Sequence, residues 1–216
     1  MNLSRRLMVI CFLALALSGC GALKKPATEV PSGTVLFTDD FSNPKSGWDT
    51  WNETTGSLVA YTAGGLRILV QEQQFDYWSR PGKRFADVSL EVDAIKLDGP
   101  DDNDYGLVCR YQNRDNFYAL LISSDGYAGI LKVKDSTYSM IHAEQMEFST
   151  AIYKGGASNH LQGFCLGPTL ALFVNGKKAV FAVDLDFSAG EVGLIAGTNT
   201  TPGVDILFDN FLVTRP

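Results

Sequence analysis

Short runs of β-branched and aromatic residues alternate with clusters of Gly, Asn, Asp, Ser and Pro from Val35 to the end of the chain, and almost no stretch sustains a helical repeat. Such runs are typical of strands separated by turns. The pattern predicts an all-β chain with strands at 35–41, 57–62, 65–71, 75–80, 87–97, 104–112, 116–123, 127–133, 137–141, 160–166, 169–175, 178–183, 191–198 and 204–214. Two antiparallel sheets packed face to face are the expected arrangement, and a jelly-roll sandwich is the expected topology.

Two dipeptides between predicted strands support this interpretation. Asp125-Gly126 and Asn175-Gly176 each stand between two strand-like runs. Both dipeptides favour the positive φ angles of tight hairpin turns. We therefore expect each pair of flanking strands to form a β-hairpin.

The first twenty residues have the pattern of an export signal. Arg5 and Arg6 precede an apolar run that ends in Leu17-Ser18-Gly19-Cys20. The run is shorter than the roughly 20 apolar residues of a spanning helix. It is similar to the bacterial lipoprotein signal, in which the cysteine is lipidated on sulfur and becomes the new N-terminus.

This similarity divides the chain into three parts. We expect a signal peptide at 1–19, a flexible spacer at 20–34 that begins with lipidated Cys20, and a β-sandwich domain at 35–216. The lipid would hold the domain on the cell membrane or the outer membrane, outside the cytoplasm. Gly21 lacks the aspartate that favours retention at the inner membrane, so the outer membrane is permitted.

The charge of the chain argues against a nucleic-acid partner. The chain has 18 Lys and Arg against 24 Asp and Glu, a net charge of −6, which becomes −8 when Arg5 and Arg6 leave with the signal peptide. Phosphate binding needs a basic patch, and the sequence has none. An acidic domain is repelled by an anionic bilayer, so the lipid would have to supply the membrane attachment. We expect a monomeric domain.

The four cysteines suggest one disulfide. Cys11 lies in the apolar run of the signal peptide and Cys20 takes the lipid, which leaves Cys109 and Cys165. Both are in strand-like segments of an exported chain, and the space outside the cytoplasm is oxidising. We therefore predict a Cys109–Cys165 disulfide, and two separately buried thiols are the alternative.

Several segments carry a family resemblance through their order and spacing: Asp39-Asp40-Phe41, 102–110, 170–176, Val192-Gly193-Leu194 and 207–213. Together they resemble the concanavalin A-like lectin/glucanase superfamily, with the 3-keto-disaccharide hydrolase-like and laminin G-like domains as the nearest types. The resemblance spans most of 35–216. It implies a curved two-sheet jelly roll whose concave face often holds carbohydrate and whose first and last strands are neighbours.

No catalytic residues are expected. Glucanases of this superfamily carry a Glu-x-Asp-x-x-Glu strand, but here Lys96 stands in place of the second glutamate after Glu91 and Asp93. Retaining hydrolysis needs two carboxyl groups about 5 Å apart, so the motif is incomplete. His142 and His160 lack companions at metal-ligand spacing.

Alternation along four consecutive predicted strands suggests a polar band. It places Phe117, Cys109 and Tyr111 inward and their neighbours Arg110 and Tyr118 outward. If the strands are neighbours, one sheet face carries the candidate ligand-binding residues Glu91, Asp93, Arg110, Tyr118 and Lys132. The alternative is a solvated face with cross-strand ion pairs.

Aromatic residues and acidic strand ends complete the candidate sites. Trp78 is the foremost stacking residue for a sugar, because the polar residues Asp76, Ser79 and Arg80 surround it. The resemblance also implies a structural calcium ion near the terminal strands, where the candidate ligands are Asp39, Asp40 and Asp209.

The leading hypothesis is a lipid-anchored, non-catalytic domain that binds carbohydrate on its concave sheet. Two alternatives stay open. One is a glycan-active hydrolase of the 3-keto-disaccharide type, and the other is a structural or assembly lipoprotein.

Overall fold

The computed structural model describes residues 31–216. This part of the chain contains only strands as regular elements. They are β1 (Val35–Asp39), β2 (Trp51–Asn52), β3 (Leu58–Thr62), β4 (Gly65–Val70), β5 (Asp76–Ser79), β6 (Arg84–Phe85), β7 (Val88–Asp98), β8 (Asn103–Asn113), β9 (Asn116–Ile122), β10 (Tyr127–Lys134), β11 (Thr137–Met140), β12 (Glu147–Phe148), β13 (Asn159–Leu166), β14 (Thr169–Val174), β15 (Lys177–Val183), β16 (Gly190–Thr198) and β17 (Val204–Thr214). The signal peptide, Cys20 and residues 20–30 of the spacer lie outside the described residues.

All strand pairs are antiparallel, and the strands form two sheets. Sheet A has the order β15-β14-β13-β7-β17-β4-β3-β2, and β1 also pairs with β17. Sheet B has the order β11-β10-β9-β8-β16-β5, while β12 pairs with β10 and β6 with β16. The predicted all-β sandwich is confirmed, and the first and last strands are neighbours. Each predicted strand is present, and only the two-residue strands β2, β6 and β12 were not predicted.

The main core lies between the two sheets. Alternate side chains of sheet A, such as Leu90 and Val92 on β7, meet those of sheet B, such as Leu107 and Leu120. All four are fully buried. Burial of apolar surface contributes roughly 25 cal/mol per Å², so this layer is the main stabilising element of the fold.

Sheet B also buries apolar side chains on its outer face. This second apolar cluster consists of Val108, Tyr111, Phe117, Ala119, Leu121, Leu131, Val133 and Ile195, and Trp78, Met140 and Met146 pack against it. Central strands of sheet B are thus apolar on both faces. Alternation alone cannot say which face of such a strand points to the main core, and the predicted orientation of Phe117 and Tyr118 was wrong for this reason. Tyr118 points into the main core and Phe117 points outward.

A β-bulge at Arg110 reverses the side-chain order of β8. Arg110 has a positive φ of 53°, and the pairing of β8 with β9 shifts in register after Cys109. An extra residue at a bulge moves the following side chains to the opposite face. Cys109 therefore belongs to the main core, whereas Tyr111 belongs to the second apolar cluster.

The Asn175-Gly176 turn joins β14 to β15 as predicted. The φ angles are 51° at Asn175 and 76° at Gly176, which are the values that a type I′ turn requires. The Asn175 side chain donates hydrogen bonds to the Ala151 carbonyl at 2.9 Å and to Asn159 Oδ1 at 2.8 Å. It also accepts one from the His160 backbone N–H at 3.0 Å. The turn residue thereby connects the hairpin to β13 and to the segment before it.

A disulfide bond joins the two sheets. Cys109 on β8 of sheet B and Cys165 on β13 of sheet A are bonded, with their Cα atoms 6.9 Å apart. Both residues are fully buried in the main core. Within residues 31–216, no helix is long and apolar enough to cross a membrane.

Candidate functional site

A groove of about 1040 Å³ lies on the outer face of sheet B. Residues of β5, β8, β11 and the end of β16 line it, together with the segment 49–53 that precedes and forms β2. Strands β5 and β11 are the opposite edges of the six-stranded path of sheet B. Since both edges contribute to one groove, the sheet must curve toward it. This face is therefore the concave face of the sandwich.

Aromatic side chains form the walls of the groove. Trp78 on β5 packs against Phe117 and Tyr111 of the second apolar cluster, with ring centroids 5.5 and 6.1 Å away. On the opposite edge, Tyr138 of β11 is 54% exposed. Trp78 and Tyr138 therefore present flat apolar surfaces from the two sides of the groove, and a ligand can bind between them.

Two carboxyl groups converge inside the groove. Gly197 on β16 pairs with Asp76 of β5 on one side and with Asp104 of β8 on the other. A Cβ atom placed on Gly197 would lie 1.9 Å from Asp76 Oδ1 and 2.8 Å from Asp104 Oδ1. The two oxygen atoms are thus no farther apart than the sum of these distances. Because Gly197 has no side chain, both carboxyl groups can occupy the space next to its Cα atom on β16.

Neither carboxyl group of this pair, Asp76 and Asp104, accepts a hydrogen bond from another side chain in the described part of the chain. Although each residue keeps some accessible surface, Asp104 Oδ1 is buried and has no partner. Burial raises the pKa of Asp76 to about 6. Burial, and then the charges of Asp76 and Asp102, raise the pKa of Asp104 well above its ordinary value. Two adjacent acids of this kind cannot both ionise readily, so the pair retains a proton more strongly than a single exposed acid.

Tyr138 faces the carboxyl pair from across the groove. The pKa of its hydroxyl is raised, first by burial and then by the negative charge of Asp76. Tyr138, Asp76 and Asp104 all line the groove, so a ligand in the groove can contact the ring and the carboxyl groups together.

The groove carries an excess of acidic groups. Five acidic and two basic side chains line it: Asp49, Glu53, Asp76, Asp104, Asp115, Arg80 and Arg114. Arg80 donates to Asp49 at 3.0 Å and to Glu191 at 2.7 Å, while Arg114 lies 3.6 Å from Asp115. Arg80 is thus engaged with other carboxylates, whereas the Arg114 side chain is largely exposed and makes only a surface contact with its neighbour Asp115. Among the described residues, no cation is paired with Asp76 or Asp104.

The predicted polar band does not exist as one surface. It required β7 to neighbour β8, but β7 lies in sheet A between β13 and β17, and β8 lies in sheet B. Glu91 and Asp93 consequently occupy the outer face of sheet A. There Asp93 contacts His160 Nδ1 at 2.8 Å and accepts a hydrogen bond from Asn210 at 2.9 Å, while Glu91 accepts one from Gln162 at 2.9 Å.

Arg110, Tyr118 and Lys132 do not line the groove either. Arg110 is 1% exposed, and its guanidinium donates to the Phe187 carbonyl at 2.8 Å and to Asp87 at 3.3 Å. Tyr118 is fully buried, and its hydroxyl donates to Asp184.

Lys132 also contacts the segment that follows β15, to which Asp184 and Phe187 belong. It forms ion pairs with Asp184 and, at 2.8 Å, with Asp186. Together with Arg110 and Tyr118 it therefore attaches the segment after β15 to sheet B.

The proposed calcium ligands have other partners. Asp39 accepts hydrogen bonds from Trp48 Nε1 at 2.9 Å and from the Phe41 backbone at 2.8 Å. Asp40 accepts from Ser42, and Asp209 accepts from the Asn210 backbone at 2.7 Å. Within residues 31–216, no group of three or more His, Cys, Asp or Glu is placed to hold a metal ion. Calcium at these strand ends stays a prediction.

Sequence reasoning named Trp78, which lines the groove and whose role in ligand binding stays a prediction, but it missed the carboxyl pair. Asp76 shares a strand face with Trp78, because the two are separated by one residue on β5, and Asp104 likewise shares a face with Val108 of the second apolar cluster. The signal was a carboxyl group at an alternate position of an otherwise apolar strand face. Their meeting depends on β16 lying between β5 and β8, which the sequence does not reveal.

Comparison with known proteins gives similarity at the level of structure. No protein-family model matches the chain, and no curated protein matches it. The fold is similar to the carbohydrate-binding module CBM66 from Bacillus subtilis, with a TM-score of 0.62 and 19% sequence identity over 78% of this chain and 95% of the module. A Bacillus subtilis protein of unknown function with a galectin-like fold also has a TM-score of 0.62, at 11% identity over 86% of this chain and 97% of that protein.

A larger protein contains a similar fold. The GH43 BlXynB protein from Bacillus licheniformis has a TM-score of 0.60 and 11% identity, over 83% of this chain but 39% of its own length. At these identities the similarity establishes the fold alone. The fold is the jelly-roll sandwich that the sequence predicts.

Proposed function

We propose that this protein binds carbohydrate, without catalysis, in the concave groove of sheet B. One observation carries the proposal. The exposed aromatic ring of Tyr138 and the carboxyl groups of Asp76 and Asp104, which accept no hydrogen bond, line the same groove. Sugar rings have apolar C–H faces that pack on aromatic rings, and their hydroxyl groups donate hydrogen bonds to carboxylates. The groove offers both kinds of contact.

The size of the groove supports the same function. About 1040 Å³ is just above the roughly 300–1,000 Å³ that is typical of small-ligand sites, so the groove has room for an oligosaccharide. Among proteins of similar fold are a carbohydrate-binding module and proteins described as glycoside hydrolases, and this agrees with a carbohydrate ligand.

Hydrolysis is the weaker alternative. In retaining glycosidases the two carboxyl groups stand about 5 Å apart to flank the reacting carbon. Here the two oxygen atoms are at most the sum of 1.9 and 2.8 Å apart, which is compatible with either role, and the incomplete Glu-x-Asp-x-x-Glu motif is what disfavours hydrolysis. A pair this close is suited to share one hydrogen-bond donor. We expect no turnover of aryl glycosides or keto-disaccharides, and measurable turnover that Asp76→Asn abolishes would contradict this expectation.

The test uses a glycan array followed by calorimetric titration with any oligosaccharide that binds. Tyr138→Ala should weaken binding about tenfold, because an aromatic contact of this kind contributes roughly 1–2 kcal/mol. Tyr153→Ala is the matched control, since Tyr153 is 58% exposed, close to the 54% of Tyr138, but does not line the groove. Equal affinity of the two variants would exclude the groove as the binding site.

A protein partner is the remaining alternative, as expected for an assembly lipoprotein. Co-purification of a partner from membranes, together with no binding on the array, would favour it over carbohydrate.

We further propose that the domain is held on a membrane by lipid at Cys20, through the spacer at 20–34. The support is the Leu17-Ser18-Gly19-Cys20 pattern that follows the basic and apolar segments. Cys20→Ser should move the protein from the membrane fraction to the soluble exported fraction, and mass spectrometry of the parent should show acyl chains on Cys20. An unmodified Cys20 in the native host would contradict the proposal.

A further inference from the structure

The carboxyl groups of Asp76 and Asp104 have no hydrogen-bond or ion-pair partner among the described residues. Two acids are brought together across β16, one oxygen is buried without a partner, and Arg80 of the groove is engaged by Asp49 and Glu191. An acidic pair without a partner is costly to maintain. A ligand that carries a positive charge would stabilise the ionised form of the pair and remove this cost.

We propose that the groove selects glycans that carry a free amino group, and that the ammonium group binds between Asp76 and Asp104. This inference rests on the proposed carbohydrate function and names the class of sugar. An ammonium group has three hydrogen-bond donors and no acceptor, so it can donate to both carboxyl groups at once. Both Oδ1 atoms converge beside Gly197 and fill the space next to its Cα atom, so the nitrogen atom would bind on the groove side of the pair, within reach of both carboxyl groups.

The surrounding side chains favour an ammonium group over a metal ion. Calcium takes six to eight oxygen ligands, whereas the described part of the chain places no third acidic side chain or histidine with this pair. An ammonium group is satisfied by fewer acceptors and is also attracted to aromatic faces, which Trp78 and Tyr138 supply on the two sides of the groove. An acidic sugar would be repelled by the same groups.

The experiment compares an oligomer of glucosamine with an oligomer of N-acetylglucosamine of the same length. These ligands differ only at the nitrogen, which is a charged amine in one and a neutral acetamide in the other. Calorimetric titration at neutral pH and low salt should give at least about tenfold tighter binding of the glucosamine oligomer, since charge-assisted hydrogen bonds are the stronger class. Asp76→Asn and Asp104→Asn should each remove this preference, and Asp135→Asn, an exposed turn residue outside the groove, should retain it.

Gly197→Ala tests the geometry by a different route. Its methyl group would lie 1.9 Å from Asp76 Oδ1 and 2.8 Å from Asp104 Oδ1, so both carboxyl groups would have to move apart, while no charge changes. The variant should lose the preference for the amine while keeping the Tyr138-dependent binding of neutral sugar. Its melting curve establishes that it is folded, and an unaltered preference in a folded Gly197→Ala variant would overturn the proposed position of the nitrogen atom.

The outcomes separate this inference from the proposed function. Equal affinity for both oligomers, sensitive to Tyr138→Ala, would retain carbohydrate binding and overturn the amine preference. Failure of every oligosaccharide to bind would overturn both. The last experiment is a titration with calcium chloride alone. If calcium binds, and Asp76→Asn and Asp104→Asn each abolish that binding, the pair is a metal site and the ammonium proposal is overturned.

Discussion

The Asp76 carboxyl group makes the stability of the protein depend on pH. Its pKa in the folded state is raised from 3.8 to about 6 by burial, so the folded protein holds this proton more tightly than the unfolded chain. Stability therefore decreases as the pH rises from about 4 to about 6, and the full cost remains at higher pH.

Asp76→Asn should remove that cost. A neutral amide of the same shape should stabilise the protein by up to about 3 kcal/mol above pH 6, and should change the stability little near pH 4, where the acid is protonated in both states. Urea denaturation at both pH values measures the difference. Asp135→Asn should show no such pH-dependent gain, and a gain of equal size for both variants would contradict the assignment to Asp76.

Arg110 has a structural role, in contrast to the ligand-binding role that alternation suggested. Its guanidinium is buried and bonded to the Phe187 carbonyl and Asp87. Arg110→Ala would leave a cavity and an unpaired carbonyl, so we expect a loss of roughly 2–4 kcal/mol in the free energy of unfolding. Arg84→Ala, at an exposed arginine, should cost less than about 1 kcal/mol. If Arg110→Ala instead leaves stability intact and weakens glycan binding, the structural role is wrong.

At the scale of elements, the β14–β15 turn has two separable contributions. Asn175 adopts a positive φ, which glycine tolerates and alanine does not, and its side chain makes three hydrogen bonds. Asn175→Gly should remove only the hydrogen bonds, whereas Asn175→Ala should add about 1 kcal/mol of backbone strain. Thermal or urea denaturation of the two variants measures this difference. Equal stability would mean that the turn relaxes to accept alanine.

The strands themselves were predictable because the signal is local. Alternating apolar residues and turn dipeptides lie within a few residues of each other, and they place every strand longer than two residues. The facing of β8 and β9 was not predictable, since both strands are apolar on both sides and the bulge at Arg110 changes the register. The two-residue strands depend on neighbours distant in sequence.

At the scale of the whole molecule, the site residues could be predicted only as far as the sequence shows which strands lie in the same sheet. The connection between β7 and β8 crosses from sheet A to sheet B, which separates Glu91 and Asp93 from the residues expected beside them. Trp78, which lines the groove, was named from local polarity, and its role in ligand binding stays a prediction. Asp76 and Asp104 meet only because β16, far along the chain, pairs with both of their strands.

The disulfide between β8 and β13 is the covalent link between the sheets. It spans 56 residues of sequence, and closing a loop of that length in the unfolded chain corresponds to about 4 kcal/mol of stabilisation. The Cys109→Ala, Cys165→Ala double variant should therefore be less stable by roughly 2–4 kcal/mol in urea. Reductant should lower the stability of the parent and leave the double variant unchanged, and a reductant effect on both would point to another cause.

The apolar character of both faces of sheet B has a consequence for the motions of the molecule. Backbone amides of β8, β9 and β16 are shielded by the main core on one side and by the second apolar cluster on the other. Their protons should be the last to exchange with deuterium, at rates set by global unfolding, while those of the edge strand β2 should exchange through local fraying. Mass spectrometry of the labelled peptides would reveal this order, and faster exchange in β9 than in β2 would contradict it.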